Sequence, residues 1–144
     1  MLLRYHYLAA GYTTHGVKIP EIPIIYLALR IGKYIARGPA IIDTGFDGGI
    51  YPNVELIKLL RGIKPVEVVE FETPFYGASE FEVYEVNAYL YYKYRYVDLG
   101  KAKIYVPTHP ELLIDEVIIG REILNKLKIT LNPHYKLVEV EFTQ

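Results

Sequence analysis

The spacing of apolar and polar residues along the chain predicts β-strands joined by short turns over most of its length. Apolar, β-prone runs occupy residues 22–31, 34–36, 40–42, 66–72, 84–96, 103–106, 117–119, 128–131 and 135–142. Gly32-Lys33, between the first two runs, predicts a hairpin with a two-residue turn. Within residues 84–96 the even positions are apolar or aromatic and the odd positions include charged residues. This alternation predicts one strand with a buried face and a face in water.

Two short segments have the spacing of helices instead. Pro52 and Asn53 precede residues 54–61, whose apolar residues recur at helical intervals, and Gly62 follows them. Residues 121–127 form the second predicted helix. Residues 98–100 predict a turn, and the glycines and threonines within residues 1–16 predict an irregular arm. The expected fold class is all-β, mainly β with two short helices.

Length and composition indicate one globular domain. The chain has 144 residues, of which 51% are hydrophobic and 23% charged, with a formal net charge of -1. These values describe a packed domain rather than a disordered or nucleic-acid-coating chain. We expect residues 1–20 to be an N-terminal arm of unknown role and residues 21–144 to be the domain. The longest apolar run, residues 22–29, is short for a membrane span, so we expect a cytoplasmic protein without membrane contact.

The types of residue in the chain exclude several kinds of catalytic and metal-binding site. Cys is absent, which excludes disulfides, thiolate nucleophiles and cysteine metal sites. The four His residues are scattered without ligand spacing, and the sole serine, Ser79, does not lie in a nucleophile elbow. We therefore expect neither a metal nor a cofactor. A single Met together with many Ile, Tyr, Lys and Glu residues resembles a thermophile's composition.

A stretch at residues 40–49 carries the strongest chemical signal. There a buried strand runs into Asp43, and Thr44-Gly45 breaks the strand directly after it, so a carboxylate lies where the strand opens into a turn. Farther along, residues 117–121 read Val-Ile-Ile-Gly-Arg. The two segments resemble, in the same order, the Asp-Thr-Gly catalytic loop and the hydrophobic-hydrophobic-Gly-Arg segment of the retropepsin-like aspartic proteases. The resemblance covers roughly residues 22–132.

The resemblance implies a single-domain acid-protease barrel that works as a symmetric homodimer. Only one Asp-Thr-Gly occurs in the chain, so Asp43 of a second copy would complete the catalytic pair. Two adjacent carboxylates share one proton, and such a pair would activate a water against the peptide bond. By the same resemblance, Thr44 would hydrogen-bond across the two-fold axis and Gly45 would permit the tight loop. The implied function is an aspartic endopeptidase that cleaves extended, apolar segments of peptide or protein substrates.

Further site residues follow from the same resemblance. Asp47 would anchor the substrate backbone and form a bidentate pair with Arg121. The flap that covers the substrate would include Tyr76, Gly77 and Ala78, and the site would be supported by Ile118, Ile119, Gly120 and Arg121. Phe46 is larger than the residue usual at its position in the family, so the shapes of the substrate pockets do not transfer.

Several alternatives stay open from the sequence. The same fold could serve as a catalytically silent dimeric module that binds peptides, or as a domain cut from a longer polyprotein. Asp47 and Arg121 could form a purely structural ion pair. The tyrosines within residues 84–96, with Lys93 and Arg95, could stack on nucleic-acid bases, but their alternation and the near-neutral net charge favour a half-buried strand. No nucleic-acid partner is therefore expected.

Overall fold

A computed structural model of the chain describes residues 1–73 and 77–142. These residues form a mainly β structure with two short α-helices, as the sequence predicts. The strands are β1 (Leu2–His6), β2 (Ile24–Ile31), β3 (Tyr34–Ile42), β4 (Ile50–Tyr51), β5 (Glu67–Thr73), β6 (Gly77–Tyr92), β7 (Arg95–Pro107), β8 (Val117–Ile119), β9 (Lys128–Asn132) and β10 (Leu137–Glu141). The helices are α1 (Val54–Leu59) and α2 (Arg121–Leu124), and a single 3₁₀ turn spans Pro110–Leu112. None of the helices in these residues is long and apolar enough to cross a membrane.

Six strands close into a barrel. Their order around the ring is β2-β3-β8-β4-β7-β6, and pairing between β6 and β2 closes it. Among the described residues β5 pairs only with β6, so the β5–β6 hairpin extends from the ring. The fully buried side chains of the core include Ile25, Ile31, Ile50, Leu90, Ile104 and Ile119. Removal of this apolar surface from water is the main stabilising contribution.

The parallel pair β3 and β8 determines where the acidic motif lies. Ile42 of β3 is opposite Ile119 of β8, and β4 pairs with the other edge of β8 in the antiparallel sense. Every residue of β8, and the part of β3 that pairs with it, is buried or half-buried, which agrees with their uninterrupted apolar sequences. The chain leaves β3 at Asp43 and leaves β8 at Gly120, so these two residues lie at the same end of the barrel wall.

The β2–β3 hairpin and α1 form where the sequence predicts them. Ile31 pairs with Tyr34 across Gly32-Lys33, and Gly32 has a φ of 58°. At the start of α1 the side chain of Asn53 accepts a hydrogen bond from the backbone N–H of Leu56 at 2.9 Å. This bond satisfies one of the amide groups that the first helical turn leaves unpaired.

The prediction of one strand over residues 84–96 is wrong at its C-terminal end. β6 ends at Tyr92, Lys93 and Tyr94 form a two-residue turn, and β7 then returns antiparallel to β6. Both turn residues have positive φ, 49° and 63°, a conformation usually taken by Gly or Asn. Because neither residue is Gly or Asn, the sequence does not predict the turn. Before the turn the predicted alternation holds, because Val86, Ala88 and Leu90 are buried. Beyond it the alternation fails, and Tyr94 is 91% exposed.

The predicted turn at residues 98–100 is an irregularity inside β7 rather than the end of a strand. The side chain of Asp98 accepts a hydrogen bond from the N–H of Gly100 at 2.7 Å, and Gly100 has a φ of 79°. On the opposite strand the register shifts between Ala88 and Tyr89. The local bend therefore forms, but pairing on both sides carries the strand through it.

The two ends of the described chain form a separate three-stranded antiparallel sheet in the order β1-β10-β9. The predicted C-terminal hairpin is confirmed as β9 and β10. The prediction of an irregular arm is wrong for Leu2–His6, because this segment alternates between buried and exposed residues and pairs with β10. Leu3 and Tyr5 belong to the core. After β1, reciprocal backbone bonds of 2.8 Å join Leu8 to Ile22.

Candidate active site

Asp43 lies directly after β3, at the start of residues 43–49, which we call the Asp43 loop. Its backbone N–H donates to the carbonyl oxygen of Ile119 at 3.0 Å, so the bonding between β3 and β8 continues one residue past the strand. Its carboxylate oxygen Oδ1 accepts a hydrogen bond from the N–H of Gly45 at 2.9 Å, which orients the carboxylate within a tight turn. Asp43 is half-buried, whereas Thr44 and Gly45 are exposed. The carboxylate is thus held by the barrel wall but lies beside an open surface.

The first turn of α2 holds the Asp43 loop through the backbone. Gly120 N–H donates to Gly49 O at 2.8 Å, Arg121 N–H to Phe46 O at 2.9 Å, and Glu122 N–H to Gly48 O at 3.2 Å. This approach requires glycine at position 120, since a Cβ there would lie 2.4 Å from the carbonyl oxygen of Gly48 and 2.5 Å from that of Phe46. The Ile-Ile-Gly-Arg segment therefore positions the loop by direct hydrogen bonds.

The side chain of Arg121 also binds the loop, at two places. One guanidinium nitrogen donates to the carbonyl oxygen of Thr44 at 2.6 Å, and the other pairs with the carboxylate of Asp47. The predicted contact between Asp47 and Arg121 is present, but the prediction that it is bidentate is wrong, because the second nitrogen binds the Thr44 carbonyl instead. Both side chains are substantially exposed, 43% for Arg121 and 64% for Asp47, so the pair contributes loop geometry more than stability.

A pocket of about 250 Å³ adjoins Asp43. It is lined by Asp43, Gly45, Phe46, Tyr51, Ile114 and Ile118. Ile118 contributes a wall of this pocket, whereas the next residue, Ile119, is fully buried in the core, as expected for alternate sides of a strand. The hydroxyl of Tyr51 donates to the carbonyl oxygen of Leu112 at 2.5 Å, and burial raises the pKa of Tyr51, so this wall is fixed by a neutral phenol. Among the described residues that line the pocket, Asp43 is the one carboxylate.

Of the predicted flap residues, Gly77 and Ala78 belong to the β5–β6 hairpin. The two strands pair as far as Thr73 opposite Gly77. Tyr76 lies outside the described residues. Gly77 and Ala78 are exposed, and they are the first residues of β6 rather than part of a loop.

An aromatic cluster joins this hairpin to the Asp43 loop. Phe71 and Phe81 come from the hairpin, Phe46 from the loop and Tyr105 from β7. The ring of Phe71 lies 6.4 Å from that of Phe46 and 5.2 Å from that of Tyr105. Phe46 therefore packs against the β5–β6 hairpin as well as lining the pocket, which explains a large residue at this position.

Glu122 and Tyr105 form a contact that the sequence does not predict. The Tyr105 hydroxyl donates to the Glu122 carboxylate at 2.6 Å, and burial together with this bond raises the pKa of Tyr105. The pair ties the start of α2 to β7, next to the residues that hold the Asp43 loop. Glu122 is exposed, and no motif in the sequence links a strand tyrosine to a helix glutamate seventeen residues away.

A larger apolar groove of about 310 Å³ lies along β3, away from Asp43. We define the candidate active site by the held carboxylate rather than by volume, because a reaction requires a positioned chemical group and the lining of the groove is mostly apolar. Within residues 1–73 and 77–142 no cluster of three or more His, Asp or Glu side chains could hold a metal ion.

Comparisons with models of known protein families and with curated proteins found no match to this chain.

Proposed function

We propose that the chain is a homodimeric aspartic endopeptidase of the retropepsin-like type. The observation that carries this proposal is the geometry of the Asp43 loop. A carboxylate at the end of a buried strand is held by Gly45, and the loop around it is fixed by the backbone and side chain of Arg121. A loop that only capped a strand would not require this second set of contacts from α2.

The chemistry needs two carboxylates and one water. Like charges a few ångströms apart do not both ionise, so the pair carries one proton. The ionised Asp43 takes a proton from the water as its oxygen attacks the peptide carbonyl carbon, while the protonated Asp43 donates its proton to the carbonyl oxygen. The tetrahedral intermediate then collapses as a carboxyl proton passes to the leaving nitrogen, which breaks the C–N bond without a covalent enzyme intermediate.

The proposed second carboxylate comes from a second copy of the chain. Asp43 is the one carboxylate that residues 1–73 and 77–142 contribute to its pocket, and Asp47, the other acidic residue of the loop, is paired with Arg121. The exposed Thr44 and Gly45 form the tip of the loop, where a two-fold axis would bring the same residues of a partner into contact.

In this proposal the substrate binds as an extended strand between the Asp43 loop and the β5–β6 hairpin. Ile114, Ile118 and Tyr51 give the pocket beside Asp43 apolar walls, which suits an apolar side chain next to the cleaved bond. Asp47 and the exposed start of β6, Gly77 and Ala78, would contact the substrate backbone.

The direct test compares Asp43→Asn with Asp98→Asn. Both aspartates accept a hydrogen bond from the N–H of a glycine two residues later, at 2.9 Å and 2.7 Å, so the two variants disturb similar turns. Wild type and both variants are incubated with a diverse peptide mixture from acidic to neutral pH, and products are identified by mass spectrometry. We expect cleavage by the wild type and Asp98→Asn, and a loss of at least roughly a hundredfold in Asp43→Asn.

Two results would count against a peptidase. One is the absence of cleavage by the wild type at every pH, and the other is equal cleavage by Asp43→Asn. Peptide binding without cleavage by a dimeric wild type would support the alternative, a catalytically silent peptide-binding module on the same fold.

A further inference from the structure

We infer that the groove along the open edge of β3, which we call the β3 groove, binds an extended apolar peptide segment that carries a basic side chain. This site is separate from the candidate active site. The residues that line the β3 groove do not include Asp43 or any other residue of the pocket beside it.

Part of the edge of β3 is unpaired among the described residues. β2 pairs with the full length of β3, but on the other side β8 covers only Ala40 to Ile42. Residues 34–39 therefore have a free edge on that side, and Ile35 and Arg37 within it are exposed. A free strand edge is a template for another extended segment.

The hydrogen-bonding pattern of the β2–β3 hairpin determines which backbone groups of β3 point toward its unpaired edge. Ile31 and Tyr34 flank the two-residue turn and exchange hydrogen bonds, so alternate residues from Tyr34 onwards bond to β2. The N–H and C=O groups of Ile35 and Arg37 consequently point away from β2, toward the unpaired edge, and none of them bonds elsewhere among the described residues. Pro39, the next residue in this pattern, has no N–H, which limits the edge to a short segment.

The β3 groove has an apolar floor. Ala36 and Gly38 carry little or no side chain where the groove passes β3, and the opposite wall is formed by Leu56 and Leu59 of α1. The volume, about 310 Å³, is sufficient for side chains of an added strand. Because β3 and α1 line the same groove, a segment paired with β3 would place alternate side chains near these leucines.

The rim of the β3 groove carries unpaired negative charge within the described part of the chain. Asp115 and Glu116 line it, both are exposed, and neither has an ion-pair partner among the described residues. The guanidinium of Arg37, the one cationic residue of the lining, stacks 4.9 Å from the ring centre of Tyr91 on β6. The unpaired rim is therefore acidic, and a Lys or Arg side chain complements it.

The test uses the full-length Asp43→Asn chain, so that the probe stays intact whatever role Asp43 has. The probes are acetyl-Val-Leu-Lys-Leu-Val-amide and the same peptide with Glu in place of Lys. We expect the lysine peptide to bind roughly tenfold more tightly than the glutamate peptide. We also expect it to slow amide hydrogen exchange at Ile35 and Arg37, with little change at Ala36, whose N–H already bonds to β2.

A pair of matched double variants separates the rim from general charge effects. Asp115→Asn with Glu116→Gln is expected to weaken binding of the lysine peptide roughly tenfold and to remove the difference between the peptides. Glu70→Gln with Glu72→Gln removes the same charge from the exposed face of β5 and should leave binding unchanged. Equal affinity for the two peptides, no protection at Ile35 and Arg37, or equal loss in both double variants would overturn the inference.

Discussion

Gly120 lies where two carbonyl oxygens leave no space for a side chain. A Cβ at this position would lie 2.4 Å from Gly48 O and 2.5 Å from Phe46 O, distances that real Cβ atoms do not reach. Both oxygens are backbone atoms that accept hydrogen bonds from α2. They cannot move without breaking the contacts that hold the Asp43 loop.

Replacing Gly120 with Ala should therefore destabilise the fold and displace the Asp43 loop. We expect a loss of about 2 kcal/mol or more in the free energy of unfolding, measured by chemical denaturation. Gly38→Ala is the matched control, because Gly38 has no heavy atom within 4 Å of its ideal Cβ position and should change stability little. Equal stability of the two variants would show that α2 and the loop are not packed this closely.

At the scale of elements, the turn between β6 and β7 is held in an unfavourable conformation by the strands around it. Lys93 and Tyr94 both have left-handed backbone angles, which cost side-chain-bearing residues energy that Asn-Gly avoids. The double substitution Lys93→Asn with Tyr94→Gly should raise the free energy of unfolding by roughly 1 kcal/mol. Thermal melting measures this directly, and an unchanged or lower melting temperature would contradict the assignment of the turn.

The segment between β1 and β2 is anchored by charge. Glu21 pairs with Lys18 at 2.9 Å and with Lys136 at 2.6 Å. Hydrogen bonds from these two lysines, first Lys136 and then Lys18, lower the pKa of Glu21 from 4.5 to about 2. A lowered pKa means that the anchoring is fully present above pH 4.5 and is lost as the pH falls toward 2.

We expect the backbone bonds between Leu8 and Ile22 to open as the pH falls from about 4.5 to about 2. The measurement is the amide protection factor of these two residues at each pH, with Val138 of β10 as an internal reference for global unfolding. In Glu21→Gln the protection should already be low at pH 5 and should not change with pH. Protection that is independent of pH in the wild type would contradict the anchoring role of Glu21.

The sequence predicts those elements whose signals are local. Gly32-Lys33 marks the first hairpin and Asn53 marks the start of α1, and both form as expected. The turn at Lys93-Tyr94 has no such signal, because the paired strands impose its backbone angles. The local sequence does not predict β1 for a related reason. Its alternation of apolar and polar residues stabilises a strand only when β10, which lies far along the chain, pairs with it.

The residues of the candidate site also fall into those that the local sequence predicts and those that it does not predict. Asp43 and its turn with Gly45 follow from local sequence, and so does the short strand before Gly120. The pocket walls Tyr51 and Ile114 come from distant segments, so spacing along the chain gave no indication of them.

At the scale of the whole molecule, the proposed activity belongs to two chains rather than one. The described fold closes its barrel and pairs both of its ends internally, yet it supplies a single carboxylate to the pocket at the Asp43 loop. The proposed dimer is therefore required to supply the second carboxylate, whereas the barrel of one chain closes without a partner. Activity per chain should increase with protein concentration in the range where dimers form.

The most direct test of this shared site mixes wild type with inactive Asp43→Asn in equal amounts and allows the subunits to exchange. Random pairing makes about one quarter of the dimers fully wild type, so activity should fall to about one quarter of that of wild type at the same total concentration. An active site contained within one chain would instead leave about one half. A value near one half after complete exchange would contradict the shared Asp43 pair.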